Sequence, residues 1–321
     1  TSKQKEEVEA LVKQYADLVC LDSADLPPCE APPLRIETGN APPFKQKPRP
    51  VPPAARECLT EEIQKMLRGG VIERVIDSPY SSPVVVVPKR GTNRWRMAVD
   101  LRKLNSQTEF AVARLPSVQE LIYGIKDKPY ISTFDCQSAF WQIPLEEKDR
   151  NKTTFTIAGP APLGGTYRFL RMPFGALNAA QHYQHAIEAM MRPAAICDDT
   201  RLCQAYLDDL IVASSTFDEH IELLQRLFEC LRESRCKLNL PKSVLGAEEV
   251  AYLGYIVNST HYKPQPERTA PIFDIQAPTN LTEVRSFIGK LLYYQRCLPD
   301  LQRTLEPLHQ LLRGTKPKSK R

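Results

Sequence analysis

Residues 205–212 read Ala-Tyr-Leu-Asp-Asp-Leu-Ile-Val, so two adjacent aspartates, Asp208 and Asp209, interrupt an apolar run. Charge in such a setting is costly unless something compensates it. A solvated loop tip would leave the pair idle, whereas a tight hairpin would present both carboxylates on one side. A second apolar segment, Tyr130-Ile131-Ser132-Thr133-Phe134, runs into a third aspartate, Asp135. Three carboxylates converging from two strands repel and would not all stay ionised without cations. Two Mg²⁺ ions about 4 Å apart, or Mn²⁺ in their place, resolve that repulsion, activate an attacking hydroxyl and stabilise a leaving pyrophosphate.

Strands that hold such a cluster need a core behind them. With 321 residues, 42% of them hydrophobic, the chain can bury one large core or several smaller ones. The net charge of +5, from 43 Lys and Arg against 38 Asp and Glu, says little about a polyanionic partner. Part of that excess lies in Lys316, Lys318, Lys320 and Arg321, which read as a loose tail. The nine cysteines include no Cys-x-x-Cys pair, which argues against a zinc ribbon or disulfide framework and for reduced thiols in an intracellular protein. No apolar run approaches the ~18 residues of a membrane span, and Thr1 opens no signal peptide. The expectation is a soluble, cytoplasmic protein without membrane contact.

Val8, Leu11, Val12, Tyr15, Leu18 and Val19 recur at helical spacing and predict an amphipathic helix at the start. Residues 26–53 hold ten of the 28 prolines and read as an extended tether over a surface, outside the core. Thr60 is placed to cap a short helix with Glu61 and Glu62 in its first turn, stopped by Gly69-Gly70. Residues 71–75 and 83–88 read as strands, the second with an unbroken Val84-Val85-Val86-Val87 run. From Ile131 onward short apolar strands alternate with helices. One helix begins at Ser215 or Thr216, with a capping-box spacing to Asp218 or Glu219 and a stripe of Ile221, Leu224, Phe228 and Leu231. Another begins near Asn280 and Glu283, with Leu281, Val284, Phe287, Ile288 and Leu291 on one face. Strands and helices mixed without an internal repeat give the α+β class.

At this point the motifs form an ordered series. Asp135-Cys136-Gln137-Ser138-Ala139-Phe140-Trp141-Gln142-Ile143 resembles the first catalytic motif of reverse transcriptases of gypsy-type long-terminal-repeat retrotransposons, with retroviral polymerases as more distant relatives. Tyr206-Leu207-Asp208-Asp209 resembles their Tyr-x-Asp-Asp motif. The likeness runs from the proline-rich tether to about Gly314. It implies a right-hand polymerase fold: N-terminal helix and tether 1–55, fingers 56–110 and 144–178, palm 111–143 and 179–260, thumb 261–321. A ribonuclease H domain would need on the order of 100 further residues. None follow, so the resemblance implies one segment of a polyprotein, working in a virus-like particle.

The same resemblance assigns roles. Asp135, Asp208 and Asp209 are the metal ligands and catalytic carboxylates. Phe140 lies beneath the incoming sugar and leaves no room for a 2′-hydroxyl; the plainer reading is a core aromatic. Lys89 and Arg96, around a Gly91-Thr92-Asn93 turn, hold the triphosphate, unless they are ordinary solvated charges. Cys136 belongs to the nucleotide site, where Ala139 replaces a glycine common in the family. Met172-Pro173-Phe174-Gly175 shapes the pocket, with Phe174 where retroviral relatives usually carry glutamine. Lys242 matches the lysine that protonates the leaving pyrophosphate. Leu253 and Gly254, within Tyr252-Leu253-Gly254-Tyr255, match the primer grip. Arg285, Lys290, Arg296 and Arg303 are thumb candidates for nucleic-acid contact. His182 and His185, three apart, read as packing or surface residues because no third metal ligand is evident.

The expected function is RNA- and DNA-directed DNA synthesis from deoxynucleoside triphosphates on an RNA/DNA or DNA/DNA template-primer. Two alternatives are a palm polymerase making RNA, against which Phe140 argues, and a domesticated nucleic-acid-binding module without catalysis. Whether the chain acts as a monomer or homodimer is open at this level.

Overall fold

Apolar runs set between turn residues become the strands of three sheets in the computed structural model, which describes residues 2–89, 91, 94–112, 115–192, 203–295 and 297–313. The chain divides into two compact units, one running to Glu248 and the other beginning at Glu249. The first contains α1 (Ser2–Gln14), α2 (Arg56–Arg68), β1 (Ile72–Arg74), β2 (Ser82–Pro88), β3 (Trp95–Val99), α3 (Arg102–Asn105) and α4 (Val118–Tyr123). It continues with β4 (Tyr130–Asp135), β5 (Phe155–Ile157), β6 (Gly165–Phe169), α5 (Ala179–Met191), β7 (Cys203–Tyr206), β8 (Asp209–Ser214), α6 (Phe217–Glu233) and β9 (Val244–Ala247).

One sheet has the order β1-β6-β5-β2-β3, antiparallel except for the parallel β2–β5 pair. The other, β7-β8-β4-β9, is antiparallel throughout and carries the aspartates. Helix α6 covers it with the expected stripe: Leu224, Phe228 and Leu231 are buried, Ile221 partly so, and the Phe228 ring meets Phe134 of β4 edge-on at 5.5 Å. The helix starts at the expected Thr216 cap, with the reciprocal bond shifted to the residue before it. Thr216 Oγ1 accepts from the Glu219 N–H, and Glu219 Oε2 accepts from the Ser215 N–H.

A buried histidine ties α6 to the sheet. Ser214 Oγ donates to the Thr216 carbonyl, so toward His220 it accepts, and Nδ1 at 3.0 Å carries the proton. His220 Nε2 is then the acceptor for the Ser132 hydroxyl at 2.7 Å, while Ser132 Oγ accepts from the Gly246 N–H of β9. One neutral imidazole thus joins β4, β8, β9 and α6.

Three local expectations are corrected. Thr60 does not cap α2; it lies inside the helix with its hydroxyl on the Arg56 carbonyl. The helix starts earlier, out of a 3₁₀ turn Pro53–Ala55, because proline presets the φ of a first turn. The opening helix stops at Gln14, and Tyr15 and Leu18 are buried from the turn that follows it. The proline-rich tether is extended, yet Leu26, Cys29, Leu34, Ile36 and Val51 are buried in the core. An extended chain turns alternate side chains inward, so proline excludes it from ladders without excluding it from packing.

The second unit holds β10 (Glu249–Tyr252), β11 (Tyr255–Asn258) and β12 (Tyr262–Pro264) as a meander, then α7 (Pro266–Phe273), α8 (Leu281–Tyr293) and α9 (Leu301–Leu312). Asn280 caps α8 as expected. Its buried face is narrower than the predicted stripe: Val284 and Ile288 pack with Leu301 and Leu305 of α9, while Leu281 is exposed. The basic tail from Lys316 and the thumb candidate Arg296 lie outside the described residues.

Burial depresses the His220 pKa from 6.5 to about 4. The unfolded chain therefore takes up this proton first, and stability that is complete above pH 6.5 drains as pH falls toward 4. Denaturant titrations should show a loss of about 3 kcal/mol from this residue across that window, and His220→Gln should flatten it. An unchanged slope in that variant would assign the acid sensitivity elsewhere.

Candidate active site

Register brings the carboxylates together. In the β4–β8 pairing Asp135 stands directly opposite Asp209, and like charges so placed destabilise a sheet. Strands β7 and β8 form a two-residue hairpin in which Tyr206 pairs with Asp209, leaving Leu207 and Asp208 at the tip. The Cys136 N–H donates to the Asp208 carbonyl at 3.0 Å, and the Asn239 N–H to the Asp135 carbonyl at 2.8 Å, so backbone bonds fix both aspartate-bearing segments. Leu207 takes φ 55°, a left-handed conformation that costs a branched side chain roughly 1–2 kcal/mol.

The electrostatics follow from this crowding. Burial first, then Asp208 and Asp135, push the Asp209 pKa up to about 6 against the pull of Lys242. Lys242, on the 3₁₀ turn Leu240–Lys242, places Nζ 3.2 Å from Asp135 Oδ2. An ammonium thus supplies positive charge at the carboxylates. Among the described residues no three His, Cys, Asp or Glu side chains are gathered tightly enough to grip an ion. Mg²⁺ sites commonly use one or two carboxylates together with water and substrate phosphates, and seldom an all-protein cage. Hard oxygen donors, excess negative charge and a stand-in cation make the site chemically fit for divalent metal.

Beside the aspartates lies an aromatic platform. Phe140 is half-buried on the 3₁₀ turn Ala139–Gln142, stacked on Phe174 at 5.1 Å and 22° and leaning on Tyr183 at 5.7 Å. Trp141 meets Phe174 edge-on, while Phe174 itself is 49% exposed. Gly175 takes φ 87° with nothing within 4 Å of where a side chain would begin, so backbone conformation, and not space, requires glycine there.

Other expected residues fall in different places. The Cys136 side chain is buried and its N–H is committed to Asp208, so it can offer a substrate at most its carbonyl. Lys89 and Arg96 are exposed on the β2–β3 hairpin of the other sheet, joined by the Lys89 N–H to Arg94 carbonyl bond. Thr92 and Asn93 of that turn lie outside the described residues. The half-buried Glu62 feels Arg96 as a compensating charge. His182 pairs with the Pro32 carbonyl at 2.8 Å, and His185 is exposed. In the second unit, Leu253 and Gly254 form the β10–β11 turn with φ 46° and 88°, the left-handed pair that a two-residue hairpin requires. Arg285 is partly buried on α8, Lys290 and Arg303 exposed.

Three buried polar side chains were not legible as site residues. Gln142 donates to the Gln137 and Lys237 carbonyls and accepts from the Lys237 N–H, clamping the loop after Asp135. Arg171 donates to the carbonyls of Leu26, Gly69, Gly70 and Trp141, joining the end of α2 to the aromatic turn. Gln184 of α5 bonds the β7–β8 hairpin. All three bond backbone groups, which no side-chain pattern announces.

Residues 87–257 match the family model described as reverse transcriptase (RNA-dependent DNA polymerase). The chain belongs to the reverse transcriptase family. The Pol polyprotein of the transposon opus from Drosophila melanogaster is 32% identical to this family member over 87% of the chain and 27% of its own length. That of the transposon gypsy is 30% identical over 87% of the chain and 26% of its own length. The gypsy-type resemblance is thereby borne out, and the chain spans about a quarter of these relatives. A foamy viral protease–reverse transcriptase solved with double-stranded DNA shares its fold at a TM-score of 0.86. It is 24% identical, with 98% of this chain and 54% of that one covered, which bears out the α+β polymerase fold.

Because the folded Asp209 carboxyl holds its proton up to about pH 6 against an ordinary 3.8, ionising it costs stability as pH rises through that range. Asp209→Asn should therefore stabilise chelator-treated protein at pH 7.5 by about 1–3 kcal/mol and have little effect at pH 4. Equal melting temperatures at pH 7.5 would show that the charge is already compensated.

Proposed function

We propose that this chain is an RNA- and DNA-directed DNA polymerase that adds deoxynucleotides to a primer 3′-hydroxyl. The observation that carries this reading is the Asp135–Asp209 register with Asp208 at the adjoining turn. Asp135, Asp208 and Asp209 would hold two Mg²⁺ ions, for which Mn²⁺ could substitute. When bound, such ions activate the attacking hydroxyl and neutralise charge on the leaving pyrophosphate. The substrate would be a duplex of template and primer, RNA/DNA or DNA/DNA. The foamy viral relatives were solved with double-stranded DNA and with an RNA/DNA hybrid, which supports that choice.

The remaining residues bind, orient or exclude. Lys89 and Arg96, exposed on their hairpin, would meet the triphosphate, one as a point charge and the other as a planar fork. Phe140, braced by Phe174 and Tyr183, would exclude the 2′-hydroxyl. Lys242 compensates Asp135 and is a proton donor for the departing pyrophosphate. Leu253 and Gly254 would grip the primer, and Arg285, Lys290 and Arg303 would meet duplex phosphates. Among the described residues no helix is long and apolar enough to cross a membrane. Work in the cytoplasm, within a virus-like particle, is consistent with the gypsy-type relatives.

Primer extension on an RNA template with a DNA primer tests the reading. Asp135→Asn or Asp208→Asn should lower the rate by several orders of magnitude while the fold persists, since a ligand to transition-state charge is worth several kcal/mol. A variant copying at nearly the wild-type rate would remove that aspartate from the site.

Phe140→Ala tests the gate separately. Opening it should raise ribonucleotide incorporation relative to deoxynucleotide incorporation by more than it changes the overall rate, because selectivity is a difference of two transition-state energies. Unchanged selectivity beside lowered stability would leave Phe140 as core packing.

A further inference from the structure

Among the described residues strand β7 stands at the edge of its sheet, with a neighbouring strand on one side only. The Ala205 carbonyl and the N–H of Leu207, the first residue after β7, flank the extended Tyr206 and so point the same way. One side chain takes both. Gln184 Nε2 donates to the Ala205 carbonyl at 2.9 Å, and its Oε1 accepts from the Leu207 N–H at 2.8 Å. The second Nε2 hydrogen goes to Glu188 Oε1 at 2.7 Å, one turn along α5, so the amide is held in one orientation. Gln184 is 1% exposed, and water cannot replace these bonds. Its carboxamide pairs with the edge of β7 as the peptide group of another strand would.

The bonds fall where placement matters most. Leu207, in its left-handed conformation, is the residue before Asp208. On the far side of the turn, Cys136 holds the Asp208 carbonyl. The Asp208 segment is therefore gripped on both sides by hydrogen bonds that add no net charge to the carboxylate cluster.

We propose that Gln184 is a positioning residue for polymerisation: its carboxamide sets the Leu207–Asp208 turn, and with it where Asp208 stands relative to Asp135. The proposal rests on the polymerase reading of this site. A glutamine that only filled the core would lower stability and leave folded molecules turning over normally. A positioning residue lowers turnover in molecules that remain folded and still bind substrate.

Gln184→Met preserves length and removes both hydrogen bonds; Gln184→Asn, one methylene too short to span the two groups, serves if the first does not fold. Primer extension at varied deoxynucleotide concentration is combined with hydrogen exchange at the Leu207 amide in chelator. The expected result is kcat lower by about 30- to 100-fold, with KM for deoxynucleotide and duplex affinity within about threefold of wild type. The Leu207 amide should exchange at least about tenfold faster while the rest of α5 keeps its protection. A folded variant with kcat within threefold of wild type, or one that loses only KM, overturns the proposal. Wild-type protein that extends no primer defeats the polymerase reading itself. Wild-type extension beside an unimpaired variant defeats only the role of Gln184.

Discussion

Three aspartates gathered at one end of a sheet repel one another, and the surrounding protein must hold them there before any cation arrives. Burial first, and then the neighbouring Asp208 and Asp135, raise the Asp209 pKa. What resists it is backbone pairing. Asp135 and Asp209 are committed by their register, and the carbonyls of Asp135 and Asp208 each receive a backbone N–H. Lys242 relieves part of the charge from one side. A site built in this way is electrostatically unfavourable alone and is relieved once positive charge is supplied.

The supports behind the carboxylates are neutral or turned toward backbone. Gln142 and Gln184 each turn both ends of a carboxamide to main-chain groups beside an aspartate-bearing segment, Gln184 also donating to the Glu188 carboxylate. His220 does the same for the sheet as a neutral ring between two serines. Arg171 is charged, but its donors go to carbonyls, including those at the C-terminal end of α2, where positive charge is favoured. A buried carboxylate used as a brace would have added to the repulsion it had to restrain. Fully satisfied buried polar groups also specify a single arrangement, since any shift leaves a desolvated donor or acceptor without its partner.

The aromatic platform is built on a different principle. Phe140, Phe174, Trp141 and Tyr183 contact one another in stacked, edge-on and tilted pairs. A ring wedged among rings excludes by shape and needs no hydrogen bond to what it excludes. Phe174, stacked on Phe140 and meeting Trp141 edge-on, adds one more packing surface to the platform.

Much of this was legible in the residues themselves. Periodicity and capping marked α6 and α8, because local hydrogen bonds and a single buried face dictate both. The aspartates announced themselves as charge inside apolar strands, and their order with Phe140 and the Met172-Pro173-Phe174-Gly175 motif carried the family. Other features depended on partners far away in sequence. That Thr60 lies inside a helix, and that the tether buries Leu34 and Ile36, follows from packing a local rule cannot see. Lys242 meets Asp135 across 107 residues, and Arg171 meets Leu26 across 145. Gln142 and Gln184 carry no side-chain signature of their bracing role, since the bonds that brace are made to peptide groups that every residue possesses. The chain alone determined which chemistry is on offer, because side-chain type sets charge and donor capacity. Only tertiary structure decided which of those groups meet and what holds them still, because register and long-range hydrogen bonds form between segments whose separation no local pattern encodes.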